Sequence, residues 1–259
     1  MPPVVVGLAV TPVKATRLHA VERVTLELEG VRENRRFYLI DERGRMVNSK
    51  RVGELQTVVS EYSDADRRLK LVFADGHALE DEVRLGDPVE TSFYSEPKAA
   101  RLVDGPWSQA LSAVAGRSLR LVEPVDGGAV DRGEAGSVSL ISRASLARLA
   151  QAAGEPSVDV RRFRMLIETD GVEAHEEDRW VGRAVGIGET SVLFDGHVGR
   201  CLITSRDPDT GRVDLPTLDI LQDYRGSLET TEPLAFGVWG RVLKPGTIHV
   251  GDEVAPIDG

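Results

Sequence analysis

Gly199-Arg200-Cys201-Leu202-Ile203-Thr204-Ser205-Arg206-Asp207-Pro208-Asp209-Thr210-Gly211 contains the single cysteine of a 259-residue chain. Cys201 to Thr204 reads as a short strand, and Asp207 to Gly211 reads as a turn from its Pro and Gly content. The thiol is therefore expected where a loop becomes a strand. Two uses of such a cysteine compete. A free cysteine often packs as a small inert hydrophobe. If Arg200 converges on it, the positive charge favours the thiolate, which attacks electrophiles and ligates metals. Neighbours on a strand point to opposite faces, so adjacency leaves both uses open.

Composition narrows the setting. Forty-one per cent hydrophobic and 29 per cent charged residues describe an ordinary globular chain, long enough for one large domain or two modest ones. One cysteine excludes an intrachain disulfide framework. Met1 to Gly7 lacks a basic leader pattern, and no stretch approaches the roughly 20 apolar residues that span a bilayer. A cytoplasmic protein with no membrane partner is the expectation, and a monomer is assumed. The net charge of −10, from 32 basic and 42 acidic residues, argues against a nucleic-acid partner. An anionic ligand would need arginines and lysines converging locally in one cleft.

Along the chain, Val4 to Val10 is a β-branched run ending at Thr11-Pro12 and reads as a buried strand. Val24 to Glu29 alternates with period 2, and Arg35 to Asp41 turns at Glu42-Arg43-Gly44 into Met46-Val47. Leu55 to Ser95 holds short strands without recognisable chemistry. A helix is predicted from Pro106 to Gly116, with Trp107, Leu111 and Val114 on one face. Asp126 to Gly136 reads as loop. Ser137 to Ile141 is a strand, and Ser142 caps a helix whose stripe is Leu146, Leu149, Ala150 and Ala153.

Arg161, Arg162 and Arg164 crowd the start of the next strand, where either an anion or nearby carboxylates must offset them. Glu176-Glu177-Asp178 lacks histidines at ligand spacing and reads as a solvated turn. His197, four residues before Cys201, makes a Cys-His pair conceivable. A short helix at Pro216 to Leu221, a strand at Phe236 to Val242 and a turn and strand at Pro245 to Val254 complete the chain.

Arg200-Cys201, Thr204 and Asp207-Pro208-Asp209-Thr210-Gly211 resemble the cysteine motif of the MOSC family, the domain shared by molybdenum cofactor sulfurases and mitochondrial amidoxime-reducing components. Pro12-Val13-Lys14 resembles that family's entry motif, and Arg36-Phe37-Tyr38-Leu39-Ile40-Asp41 its arginine-bearing strand. The resemblance implies a mainly β fold with a few short helices, a MOSC β-barrel-like domain plus an N-terminal β-rich lobe. It divides the chain into 1–115 and 116–259, with strands from 1–40 available to pack with the second part.

It also implies a molybdenum–molybdopterin cofactor whose metal is held by Cys201, the catalytic residue. Lys14, Arg36, Arg164 and Arg200 would hold the pterin and its phosphate, and Gly136, Ser137 and Trp239 would line it. Where relatives carry serine, proline, asparagine and tyrosine, this chain has Ala15, Met165, Leu166 and Trp239. The implied reaction is reduction of N-hydroxylated small molecules, with electrons from a separate electron-transfer protein. Carriage of sulfur on a cysteine persulfide, or of the cofactor itself, is the alternative.

Overall fold

The computed structural model describes residues 2–126 and 136–257. Most of the predicted loop between Asp126 and Gly136 thus lies outside the described residues. Among the described residues the protein is mainly β with three short α-helices, arranged as two lobes that the chain enters more than once.

Val4–Val10 forms β1, as its β-branched run predicts, flanked by β2 (His19–Val21). On its other side β1 pairs antiparallel with β13 (Ile167–Asp170), Leu8 opposite Ile167. The sheet continues through β12 (Val138–Ser142), β16 (Ala235–Lys244), β15 (Thr190–Gly199), β14 (Ala184–Ile187) and β18 (Val254–Pro256). Its two ends approach each other, because Val5 N–H donates to the Asp252 carbonyl at 2.8 Å and Val254 N–H to that of Pro3 at 2.8 Å. The barrel-like curl encloses Leu8, Leu140, Ile167, Phe194 and Val238. A ribbon of β3 (Arg23–Leu26) and β17 (Gly246–His249) contributes Leu26 and Ile248 to the same core. The strand predicted to run to Glu29 stops at Leu26.

The second lobe has a five-stranded sheet: β5 (Met46–Val47), β4 (Tyr38–Ile40), β11 (Arg120–Pro124), β10 (Glu96–Asp104) and β9 (Arg84–Phe93), in that order. Beside it lies the meander β6 (Val59–Ser63), β7 (Arg68–Val72) and β8 (Ala78–Glu82). Helix α1 (Trp107–Ala115) ends at Gly116, whose φ of +62° suits glycine. It packs Trp107 and Leu111 into this lobe's core, where the indole N–H donates to the Leu69 carbonyl at 3.0 Å. Each fully buried Leu or Phe in such a core contributes about 2 kcal/mol. This lobe extends to Pro124, past the predicted division at 115, because β11 pairs with both β4 and β10. The first 26 residues belong mainly to the other lobe.

Helices α2 (Arg143–Ala153) and α3 (Thr217–Arg225) cover one end of the large sheet with Leu146, Leu149 and Leu221. Ser142 caps α2 as predicted, its hydroxyl accepting from Ser145 N–H at 3.1 Å. The carboxylates Glu176 to Asp178 depart from the expected solvated turn. Glu177 is fully buried and accepts from the Ser142 and Ser145 hydroxyls at 2.9 and 2.7 Å. Asp178 pairs with buried Arg225 at 2.7 Å. Their acidity serves the start of α2 and the seat of α3, where periodicity gives no warning of a buried charge.

The Asp207–Gly211 turn joins the lobes. Asp207 accepts from Asp209 N–H, Thr210 N–H and the Thr210 hydroxyl, closing the turn on itself. Arg17 and Arg161 both reach Asp209, at 2.6 and 2.9 Å. Gly211 lies so close to Gly53 that a Cβ on either would collide with the other's backbone.

Candidate functional site

Strand β15 ends at Gly199, and Cys201 has extended backbone (φ −137°, ψ 176°) before a 3-10 turn at Leu202–Ser205. The predicted strand from Cys201 is therefore a turn instead. Its cause is Thr204, whose backbone N–H and hydroxyl both donate to the Cys201 carbonyl at 3.0 Å. Thr204 is buried, and its own carbonyl accepts from the Thr217 hydroxyl at 2.9 Å, so the cysteine's backbone is pinned from α3. Cys201 itself is exposed.

The thiol borders a cleft of about 410 Å³ between the lobes. Its described lining includes Lys14, Arg35, Lys50, Arg164 and Arg200 and contains no aspartate or glutamate. In a chain of net charge −10, this is the local cationic exception that an anionic ligand requires. Asn34, Asn48, Ser49, Ser137 and Ser139 add polar groups, and Phe163, Met165 and Trp239 add apolar ones. Such a mixture, in a cleft of this size, suits a small molecule with an anionic end.

Backbone strain gathers here. Ala15, Arg35, Tyr94 and Arg164 all line the cleft and all have positive φ, between +50° and +90°. They are half of the eight non-glycine residues with positive φ among the described residues. Strain of this kind costs of order 1–3 kcal/mol per residue and tends to collect at binding sites. The Arg35 guanidinium donates to the Arg164 carbonyl at 2.7 Å, so two strained arginines from different lobes support each other.

The predicted residues divide. Lys14, Gly136, Ser137, Arg164, Arg200, Cys201 and Trp239 all line the cleft. Arg36 does not: its guanidinium pairs with buried Glu123 at 2.5 Å, inside the N-terminal lobe. Arg35 occupies the cleft instead, because its left-handed backbone (φ +54°) breaks the strand alternation assumed for Arg35 to Asp41. Lys14 is 8 per cent exposed, its ammonium 5.7 and 5.6 Å from the ring centroids of Phe93 and Tyr94.

Arg200 spends donors on the scaffold, with Nη1 bonded to the Phe163 carbonyl at 2.8 Å and Nε to that of Phe236 at 2.8 Å. Its Nη2 reaches the Met165 sulfur at 3.2 Å, so the methionine that departs from the family pattern forms part of the cleft wall. The Trp239 indole N–H donates to the His197 carbonyl at 2.9 Å. A Cβ on Gly196 would sit 2.8 Å from that indole, which is why glycine is required beneath it.

Of the arginine cluster, Arg161 pairs with Asp159 and Asp209 and Arg162 forms a two-point pair with Asp214 at 2.7 and 2.6 Å. Only Arg164 of the three lines the cleft. His197 contacts Thr231 at 3.3 Å and is not part of the lining, so the conceivable Cys-His pair is not formed. Among the described residues no group of three or more His, Cys, Asp or Glu side chains could hold a metal ion. No described helix is long and apolar enough to cross a membrane.

Comparison with known proteins adds two family matches. The MOSC N-terminal beta barrel domain matches residues 3–102, and the MOSC domain matches residues 127–255. Mitochondrial amidoxime reducing component 2 of Bos taurus is 36% identical over 124 residues, covering 45% of this chain and 36% of that protein. Mitochondrial amidoxime-reducing component 1 of Homo sapiens is 34% identical over 122 residues, 44% of this chain and 35% of that protein. The matched stretch thus spans about a third of each relative's length. A solved structure, the YUAD protein from Bacillus subtilis, aligns over 98% of this chain and 94% of that one, with 11% identity and a TM-score of 0.45.

Proposed function

Because the chain belongs to the MOSC-domain family, we propose that the cleft holds a molybdenum–molybdopterin cofactor with Cys201 as the protein ligand to the metal. The reaction assigned to it is two-electron reduction of N-hydroxylated small molecules. The observation that carries this reading is an exposed thiol beside a cleft whose described lining has five basic side chains and no acidic one. The names of the mitochondrial amidoxime reducing components among the relatives favour the N-hydroxylated substrate class.

The residues present fit such a group. A cysteine thiolate is a soft ligand of the kind that suits a soft metal. Arg35 and Arg164 present guanidinium forks that match phosphate oxygens in two-point contact, and Lys14 and Lys50 add compact positive charge. Trp239 and Met165 offer flat and adaptable apolar surface to a pterin ring. When bound, the cofactor supplies the oxygen-acceptor and electron chemistry.

The chain's own work is positioning. Thr204 fixes the Cys201 backbone, and Arg200 ties that segment to Phe163 and Phe236, so the cysteine's backbone is held at the edge of the cleft. The cationic lining favours anionic forms of whatever binds and raises their local concentration. Reduction of an N-hydroxyl group consumes two electrons and two protons and releases water; we assign the electrons to a separate redox protein.

Turnover is the test. Protein made in a cofactor-competent host should reduce benzamidoxime to benzamidine with an artificial reductant, and Cys201→Ser should lose that activity by at least about a hundredfold. Metal-loaded protein that turns over no amidoxime would point to a cofactor carrier. Persulfide on Cys201 without bound metal would point to sulfur carriage.

A further inference from the structure

The β9–β10 hairpin turns at Tyr94-Ser95, and both residues have positive φ, +50° and +74°. Two-residue hairpins of this shape ordinarily use Asn-Gly or Gly-Gly, because a Cβ disfavours left-handed backbone. A tyrosine here is costly for the turn, so its side chain must be needed where the turn puts it. That place is the cleft, which Tyr94 lines while remaining 60% exposed. No other large exposed hydrophobic residue among those described lines it.

The ring is also held in orientation. It meets Phe93 edge-to-face with centroids 5.0 Å apart, and the Lys14 ammonium lies 5.6 Å from its centroid. An aromatic ring fixed by a neighbouring ring and a cation, yet largely open to water, offers a ready stacking surface. Planar conjugated groups complement such a ring through their quadrupoles, whereas aliphatic groups gain only contact area. Phe163 and Trp239 line the same cleft, so an aromatic body seated against Tyr94 would stay within an apolar surround.

We propose that Tyr94 is a specificity-determining residue, stacking on the aromatic or conjugated body of an N-hydroxylated substrate at the cleft's mouth. This rests on the reductase reading for the N-hydroxyl end alone. The preference for an aromatic body rests on the hairpin.

The test pairs equilibrium binding with kinetics, using metal-loaded protein. Calorimetric titration without reductant compares benzamidoxime with acetamidoxime, and benzamidine with acetamidine, for wild type, Tyr94→Phe, Tyr94→Leu and Tyr94→Ala. Wild type should bind the aromatic member of each pair more tightly. Tyr94→Leu and Tyr94→Ala should weaken the aromatic ligands about tenfold and the aliphatic ones less than about twofold, with Tyr94→Phe close to wild type. In turnover, the loss should fall on KM for benzamidoxime and leave kcat near the wild-type value. Wild type without aromatic preference, or equal losses for both ligand types, would overturn the inference even if amidoximes are reduced. Aromatic preference lost in Tyr94→Leu would uphold it even if no amidoxime is turned over, a result that would sink the reductase reading separately.

Discussion

Arg35 and Arg36 are adjacent, share a side-chain type and do different work. Arg35 lines the cleft and bonds the Arg164 carbonyl, whereas Arg36 neutralises Glu123, which is 4 per cent exposed. Arg35→Ala is therefore expected to lower bound molybdenum severalfold while changing folding stability by less than about 1.5 kcal/mol. Arg36→Ala strands a buried carboxylate with only the longer Arg67 contact at 3.2 Å, and should cost about 3 kcal/mol. Metal analysis and urea melts of the two variants check the division; the opposite pattern would return the ligand role to Arg36. At this scale the sequence singles out Lys14, Arg164 and Cys201, which the structure brings together around one cleft. It did not show Arg35, Lys50 or Tyr94. Positive φ at Arg35 and Tyr94 redirects their side chains in a way that strand alternation does not anticipate.

Among the elements, the start of α2 holds a cluster of buried polar groups, Ser142, Ser145 and Glu177. Glu177 and His175 flank it, and burial pushes their pKa values in opposite directions. His175 is lowered from 6.5 to about 4, by desolvation first and then by Arg225, with Asp178 opposing and Arg148 adding slightly. An unfolded histidine takes up its proton near pH 6.5 while the folded one stays neutral, so stability should fall as pH drops from 6.5 towards 4. Glu177 has the opposite sign: burial raises it above 4.5, so its contribution weakens as pH rises past that value. His175 should pull urea midpoints down on acidification across this range, against the opposing pull of Glu177. His175→Asn, which tolerates the left-handed backbone at this position (φ +64°) and carries no titrating ring, should remove that downward pull. An unchanged slope would remove His175 from the explanation. Helices α1 and α2 were legible from Pro106, Gly116, Ser142 and Gly154, because capping chemistry is local. The 3-10 turn at Leu202–Ser205 was not, because the apolar pair Leu202-Ile203 reads as strand, while the turn is closed by Thr204 bonding back to the Cys201 carbonyl and is anchored by a tertiary bond from Thr217.

On the scale of the whole molecule, the cleft exists because the first strands cross into the C-terminal sheet while β4 to β11 form the facing lobe. The Asp207–Gly211 turn closes that arrangement, with Arg17 from the N-terminal segment and Arg161 from the other side meeting on Asp209. The Gly199–Gly211 stretch is thus partly a joint: Asp209 and Gly211 fit the lobes together, while Gly199, Arg200, Cys201 and Ile203 line the cleft. Periodicity identified the individual strands; which strands share a sheet depended on contacts more than a hundred residues apart, such as Val4 with Asp170. In the proposed function the sulfur of Cys201 binds a metal at the edge of a cationic cleft. Elemental analysis of protein purified from a cofactor-competent host tests this most directly. About one molybdenum per chain in wild type and less than about a tenth of that in Cys201→Ser is the predicted result. Wild-type protein without molybdenum, or a serine variant loaded as fully as wild type, would contradict it.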